Sequence, residues 1–179
     1  LALDSLVFAS DGHVGWAVGA ALTQGASGPS WQFKRGAIVK MSNDALTWTF
    51  DYALVAPNSW LRAVTFTQDG RTGWAVGDNA TIVKTTDHGK TWSVRSVENP
   101  KANAKKKPAI KIEAAGLRAI TFASDGRTGW TVGTHGTILK TIDGGETWSS
   151  RSSGTDNGLR SVIFTADGYT GWAIGEKNT

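Results

Sequence analysis

The amino-acid sequence predicts an all-β repeat protein, and three observations support this prediction. One phrase recurs along the chain, since residues 117–148 read LRAITFASDGRTGWTVGTHGTILKTIDGGETW and residues 61–92 repeat them with few changes. A more divergent copy spans residues 3–48, and a shorter fourth copy spans residues 159–179. The 22 Gly and 9 Trp suit tight turns and large packed rings better than helices. Such repetition is typical of an architecture in which each copy forms one supersecondary unit.

Each complete copy carries the signals of four short antiparallel strands. Apolar residues alternate in Leu61–Phe66, which predicts a first strand, and the Asp-Gly pair at residues 69–70 supplies the tight reversal after it. The second strand is predicted at Gly73–Gly77, the third at residues 81–85 and the fourth from Trp92 onwards. Four antiparallel strands with Gly-rich turns are typical of a β-propeller blade. The predicted fold is therefore an all-β propeller with about three and a half blades in this chain.

The copies divide the chain into blades of unequal length within one repeat domain. We predict blade one at residues 3–60, blade two at 61–116, blade three at 117–158 and half of blade four at 159–179. Blades one and two are longer than blade three, which predicts insertions at residues 20–35 and 97–115. Both insertions are polar and turn-rich. Extended loops on a fixed scaffold are common places for binding sites, although tolerated surface insertions are the alternative.

The turn before the fourth strand carries a second repeated motif. Residues 85–92 (TTDHGKTW) and residues 141–148 (TIDGGETW) both match the Asp-box pattern S/T-x-D-x-G-x-T-W. We interpret the box as structural, because its carboxylate can accept hydrogen bonds from its own turn, its Gly supplies an unusual backbone angle and its Trp packs between blades. The residues with these roles are Asp87, Gly89, Thr91 and Trp92, and Asp143, Gly145, Thr147 and Trp148. Asn43 and Ala45 replace the Asp and Gly in the first copy, so we expect a looser turn there.

These motifs carry a resemblance to a known family. With L-x-x-V/I-x-F, D-G-x-x-G-W, G-x-I-x-K-T and the Asp box in one order, the chain resembles the photosystem II assembly and stability factor propellers. The resemblance implies a seven-bladed ring and a non-enzymatic role, in which photosynthetic members hold a reaction-centre subunit. Because this chain supplies about half of such a ring, we expect either a piece of a longer propeller or a ring that two or more copies complete. Open sheet edges and uncovered faces favour such association.

Blade geometry predicts where a partner would bind. Strand one is innermost, and it is entered from the face that also carries the loops between strands two and three. Both insertions and the Arg that follows the first Leu of three copies are therefore expected on one face, near the rim of the central channel. The residues predicted for this site are Arg62, Arg118, Arg160, Lys105, Lys106, Lys107 and Trp31. They favour an acidic peptide or protein, because Arg binds carboxylates in bidentate fashion. The alternative is that each Arg pairs with an acidic residue of its own blade, and Arg71 and Arg127 are expected on the opposite face.

Two other functions compete with partner binding. Asp boxes also occur in sialidases and other glycosidases, but Tyr52 lies after the degenerate box and Tyr169 lies in a turn opposite the Arg-bearing face. Glu98, Glu113 and Glu176 are scattered and show no signature of a catalytic carboxylate pair, so we predict no catalytic residues and no enzyme. The lysine-rich stretch at residues 101–107 could contact nucleic-acid phosphates, although no aromatic residues interleave with it.

Composition limits the remaining classes. The net charge of +4 and pI near 9.5 are compatible with an acidic partner. Without cysteine there is no disulfide or thiolate site, and His13, His88 and His135 form no ligand pattern, so we predict neither metal nor cofactor. No stretch approaches the roughly 18 apolar residues of a membrane helix. The sequence assigns no compartment, and export of a longer precursor with a signal peptide stays an alternative.

Overall fold

The computed structural model describes residues 1–24, 31–43, 47–98, 115–165 and 167–177, and these ranges contain strands and turns but no helix. The first sheet consists of β1 (Ala2–Phe8), β2 (Val14–Gln24), β3 (Trp31–Asn43) and β4 (Trp48–Pro57). The second consists of β5 (Leu61–Phe66), β6 (Gly73–Gly77), β7 (Ile82–Thr85) and β8 (Ser93–Val94). The third consists of β10 (Leu117–Phe122), β11 (Gly129–Gly133), β12 (Ile138–Thr141) and β13 (Thr147–Arg151), with β9 (Ser96–Glu98) at its edge. The fourth consists of β14 (Leu159–Phe164) and β15 (Gly171–Gly175).

The sheets are arranged as propeller blades. Strands that follow one another in the chain pair antiparallel within each sheet, and the first strands of successive sheets contact one another, β1 with β5, β5 with β10 and β10 with β14. Meandering sheets of four strands whose first strands lie side by side are the arrangement of a propeller. The predicted all-β fold of three blades and a half is confirmed. Within the described ranges, no helix has the length and apolar character needed to cross a membrane.

The core of the protein lies in the seams between blades. Trp16 and Val18 of the first blade and Leu61 and Val64 of the second are buried in one cluster. Val76 and Ile82 of the second blade and Leu117 of the third are buried in the next. A blade therefore buries its apolar side chains against its neighbours, which explains why one copy of the repeat cannot form a core alone.

The first insertion differs from the turn-rich loop that its composition suggests. Strands β2 and β3 continue into it, with Leu22 opposite Phe33 and Gln24 opposite Trp31, so the blade carries one long hairpin. Apolar and polar residues alternate along residues 31–34 of β3, which suits a strand of this hairpin. Residues 25–30, between the two strands, lie outside the described ranges.

The fourth strand of the second blade also differs from the expectation. Only Ser93 and Val94 pair within that blade, in β8, and the chain then passes to the third blade as β9. Strand β9 pairs parallel to β13, with Val97 opposite Trp148, and Val97 packs on the apolar cluster that contains Trp148. Burial of Val97 against a large ring explains the exchange of partners. The rest of the second insertion, residues 99–114, lies outside the described ranges.

Candidate functional site

The first strand of every blade begins with a β-bulge at the position predicted to face a partner. Leu61 pairs with Gly77 and Ala63 pairs with Val76, so Arg62 is an extra residue with no opposite partner. The same shift in register occurs at Asp4, Arg118 and Arg160 in the other blades. A bulge re-aims the side chain of the extra residue away from the regular alternation of the strand. We call this edge of the sheets, with its residues Arg62, Arg118 and Arg160, the arginine edge.

Glycine at the end of each second strand makes room for the bulge. A Cβ atom added to Gly77 would lie 2.1 Å from the carbonyl oxygen of Trp60, and one added to Gly133 would lie 2.2 Å from that of Gly116. Such distances are far below van der Waals contact, so a side chain at either position would displace the start of the first strand. The residue directly after this glycine lies beside the arginine of its own blade.

The guanidinium of Arg62 is held between two carboxylates. It lies 3.0 Å from Asp78 of its own blade and 3.0 Å from Asp4 of the preceding blade, and it also lies over the ring of Trp60 at 4.7 Å. Burial lowers the pKa of Arg62, but the hydrogen bonds with Asp78 and Asp4 outweigh it and raise the pKa above its ordinary value. Two carboxylates around one guanidinium leave this part of the edge negative. Arg62 therefore joins two blades.

Arg160 is also paired within its own blade. Its Nη2 atom lies 2.7 Å from Oε1 of Glu176, and both side chains are largely exposed. Glu176 follows Gly175 and so occupies the same repeat position as Asp78, after Gly77. An exposed pair of this kind contributes little stability, about 0–1 kcal/mol, and can exchange partners at low cost.

Arg118 has no carboxylate in the corresponding place. Thr134 occupies the position of Asp78 and Glu176 in the third blade, and its hydroxyl accepts a hydrogen bond of 2.9 Å from the backbone N–H of Gly116. The side chain of Arg118 is exposed and makes no ion pair with any residue of the described ranges. An exposed guanidinium without a carboxylate is available to an external anion.

Arg118 lines a cavity of about 300 Å³ between the third and fourth blades. The other charged residues in its wall are Lys177, Asp156 and Glu176, and His135 and Asn157 add polar groups. Arg160 already neutralises the charge of Glu176. The two positive charges of Arg118 and Lys177 in the wall are therefore balanced only by the negative charge of Asp156. The positive charge of the arginine edge is therefore concentrated at this cavity and not spread over three equivalent arginines.

The long hairpin leaves the blades from the arginine edge. Gly36, near its base, lies against Leu61, since an added Cβ would meet the Leu61 side chain at 2.9 Å. Trp31 is the first residue of β3 in this hairpin, and its side chain lies outside the described ranges. Lys105, Lys106 and Lys107 also lie outside the described ranges, so the predicted role of these four side chains stays a prediction.

The two Asp boxes form hydrogen bonds inside their own turns. Asp143 accepts hydrogen bonds from the backbone N–H and the hydroxyl of Thr147 and from the hydroxyl of Thr141. Partial burial raises the pKa of the Asp143 carboxyl, but these bonds outweigh it and hold the pKa at about 2, below the ordinary 3.8. The hydrogen bonds of Thr91 and Thr85 likewise lower the pKa of Asp87.

The chain is similar in sequence to known proteins. The family described as photosynthesis system II assembly factor YCF48 matches residues 101–179. The chain is 28% identical over 102 residues to the photosystem II stability/assembly factor HCF136 of Arabidopsis thaliana, a match that covers 56% of this chain and 23% of the relative. It is 31% identical over 86 residues to the photosystem II assembly lipoprotein Ycf48 of Synechococcus sp. (strain CC9902), which covers 48% of this chain and 22% of the relative. The chain is thus similar to photosystem II assembly factor-like β-propellers over part of its length.

Solved structures with this fold are about twice as long as the chain. YCF48 from Cyanidioschyzon merolae superposes with a TM-score of 0.60 at 19% identity, over 97% of this chain and 50% of its own. A second structure, YCF48 bound to D1 peptide, superposes with a TM-score of 0.57 at 23% identity, over 88% of this chain and 44% of its own. At these identities the likeness shows a shared fold. The chain thus spans about half the length of the solved structures and less than a quarter of the two relatives compared above.

The residues considered for catalysis are dispersed in this chain. Tyr52 is 71% exposed on β4, and Tyr169 is 89% exposed in the turn between β14 and β15. Glu176 is paired with Arg160, the side chain of Glu98 is outside the described ranges, and Glu113 is outside them entirely. In the part of the chain that the structure describes, no three His, Cys, Asp or Glu residues come together as they would to hold a metal ion.

One repeat position, which the sequence motifs did not single out, decides which arginine is paired. This position directly follows the glycine that ends the second strand, and its residues in the four copies are Ala20, Asp78, Thr134 and Glu176. Acidic and uncharged residues alternate at this position from copy to copy, and the sequence of the copies already contains this difference. The sequence does not reveal the bulge that brings the position beside the arginine.

Proposed function

We propose that this chain is a non-enzymatic β-propeller scaffold that binds an acidic peptide or protein segment on the arginine edge, as an assembly factor would. The observation that carries the proposal is the exposed guanidinium of Arg118, which has no ion pair within the described ranges and lines a cavity with Lys177. A carboxylate can accept two parallel hydrogen bonds from a guanidinium, and such a pair is roughly twice as strong as a neutral hydrogen bond.

Two further observations support a peptide as the ligand. A structural neighbour of the same fold, YCF48, has been solved bound to D1 peptide. The long hairpin of β2 and β3 extends the first blade at the arginine edge. A peptide segment that crosses the edge would contact both the cavity and this hairpin, whereas a small anion would contact the cavity alone.

The proposal is tested with a fluorescently labelled peptide rich in Asp and Glu and a matched peptide with Asn and Gln in their place. We expect the acidic peptide to bind the chain in an anisotropy titration and the amide peptide to bind at least about tenfold more weakly, because the charge-assisted bonds are lost. Reversal of Arg62, Arg118 and Arg160 to Glu should abolish binding, whereas deletion of residues 105–107 should preserve it. Equal binding of both peptides would contradict the proposal.

The two competing functions give different results in the same preparation. A nucleic-acid surface would bind single-stranded DNA with a steep dependence on salt and little sequence preference, and deletion of residues 105–107 would weaken it. A glycosidase would hydrolyse a sialoside or a glucan, and measured hydrolysis by the pure chain would overturn the scaffold account.

A second candidate property is self-association that completes the ring. Trp172 is 58% exposed, whereas Trp16, Trp74 and Trp130 at the same repeat position are 1%, 1% and 5% exposed under the following blade. At the other end of the chain, Phe8 is 43% exposed, and its counterparts each receive a Trp from the preceding blade. Association of two copies would place the exposed Trp172 of one chain against Phe8 of the other, as Trp130 lies against Phe164 within the chain.

A further inference from the structure

One lysine recurs on the third strand of the three complete blades, and its surroundings differ between seams. Lys84 of the second blade is only 7% exposed, and its ammonium lies 2.6 Å from Oε1 of Glu146 in the third blade. Arg95 places its Nε atom 3.5 Å from Oε2 of the same Glu146, which is close enough for charge attraction but outside hydrogen-bond geometry. The carboxylate of Glu146 thus lies between two cations of the second blade and links the second and third blades.

The seam between the first and second blades carries different charges around the equivalent lysine. Lys40 corresponds to Lys84, but Lys90 stands where the third blade has Glu146. Asp51 lies opposite Lys40 in the sheet, at the position that Ser93 occupies opposite Lys84 in the second blade. The side chains of Lys40, Lys90 and Asp51 make no ion pair with another described residue. The carboxylate that bridges the neighbouring seam is therefore missing from this one.

A cavity of about 330 Å³ occupies this seam. Its charged wall consists of Lys40, Lys90 and Asp51, and its remaining wall consists of Ile38, Ala53, Tyr52, Trp92 and the backbone of Gly89. The volume is at the lower end of the range of about 300–1,000 Å³ that small-molecule sites occupy. The indole N–H of Trp16, which lies against Gly89, has no acceptor in the described ranges, whereas that of Trp74 donates to Gly144 in the next seam.

We propose that this cavity binds a small monocarboxylate with an apolar body. The ligand carboxylate takes the place of the missing Glu146 counterpart beside Lys40 and Lys90, and the apolar body packs against Trp92 and Ile38. Two ammonium groups and one carboxylate leave a net charge of one positive unit, which a monoanion balances and a phosphate of nearly two negative charges does not. Asp51 thus sets the charge of the ligand.

The cavity is separate from the proposed peptide site. Strand β7 runs away from the arginine edge and ends at the Asp-box turn, where Gly89 and Lys90 form part of the wall. Arg62 lies at the start of β5, at the opposite edge of the same sheet. Failure of peptide binding therefore says nothing about the cavity, and substitutions in one site leave the other unchanged.

The test uses phenylacetate and its neutral isostere phenylacetamide in titrations followed by NMR of the Trp indole N–H signals. We expect phenylacetate to bind saturably and to shift the Trp92 signal, and phenylacetamide to bind at least about tenfold more weakly. Equal binding of the two compounds, or the absence of saturation up to about 10 mM phenylacetate, overturns the proposal.

Matched variants locate the binding. Lys90→Glu restores the carboxylate of the neighbouring seam, so it should abolish phenylacetate binding and raise the unfolding midpoint, a combination that misfolding cannot produce. Lys40→Gln should weaken binding at least about tenfold. Lys140→Gln, at the equivalent position of the third blade, and Arg118→Glu, at the arginine edge, should leave it unchanged. Undiminished binding by Lys90→Glu contradicts the assignment of the site.

Discussion

The indole ring of Trp74 stacks on the phenyl ring of Phe122 in the next blade, with the ring centroids 3.7 Å apart and the planes 18° from parallel. Trp16 and Phe66 form the same stack, and Trp130 and Phe164 form it a third time. The Asp-box Trp148 meets Phe122 edge-on at 5.8 Å, so each Phe in the inner seams is held by two indoles. Stacked and edge-on rings contribute beyond the area that they bury.

Trp74→Ala should lower the free energy of unfolding by about 3–5 kcal/mol, because it removes a buried ring from the seam between the second and third blades. Urea denaturation followed by circular dichroism measures the change. Trp172→Ala, at the same repeat position but 58% exposed, should lower it by less than about 1 kcal/mol in dilute protein. Equal losses would show that the seam stack is not what stabilises the blades.

Light scattering over a concentration series tests whether the two uncovered end faces associate. We expect a mass above that of one chain that rises with concentration, and Trp172→Ala should return the protein towards the monomer by removing the ring offered to Phe8 of a second copy. A monomer at every concentration would contradict ring completion between copies. Phe50→Ala, which alters another exposed ring in the first blade, serves as the control for a general loss of apolar surface.

Glu146→Gln should destabilise the protein by about 1–3 kcal/mol, because it leaves the buried ammonium of Lys84 without its charged partner. The exposed pair of Arg160 and Glu176 provides a matched comparison, since Glu176→Gln should cost less than about 1 kcal/mol. Thermal unfolding of both variants measures the difference. If Glu176→Gln cost as much as Glu146→Gln, burial of the lysine would not explain the effect.

Acid should destabilise the protein as the Asp boxes protonate. The pKa of Asp143 is about 2 in the folded chain and near 3.8 as an ordinary carboxyl, so the unfolded state binds more protons between these values. The stability that this group contributes is therefore complete above the ordinary pKa and is lost as the pH falls towards about 2. Asp143→Asn should flatten the decline of the unfolding midpoint in this window. A curve parallel to that of the unaltered chain would contradict this assignment.

Local signals in the sequence predicted the inner strands well. Leu117–Phe122 and Gly129–Gly133 have the bounds that the alternating residues and the Asp-Gly turn indicated. These strands depend on a turn with positive φ at Gly126 and on burial, and both are visible in the residue types. The resemblance to the propeller family rested on the same residues.

The sequence pattern did not predict the contacts between blades. Strand β9 pairs with the third blade because Val97 packs against the cluster that contains Trp148, and no periodicity of the sequence indicates this contact. The pairing of Arg62 depends on a bulge and on Asp4 of the preceding blade, 58 residues away. The three arginines therefore looked equivalent in sequence, although only Arg118 lacks an ion pair in the described ranges.

The most direct test of the scaffold account is the dissociation constant of the acidic peptide for two single variants of the third blade. Arg118→Glu changes the arginine edge, and Arg127→Glu makes the same change of charge in the exposed turn at the other end of β10. The account predicts that Arg118→Glu weakens binding at least about tenfold and that Arg127→Glu changes it less than about twofold. Equal weakening by both variants, or unchanged binding by Arg118→Glu, would contradict it.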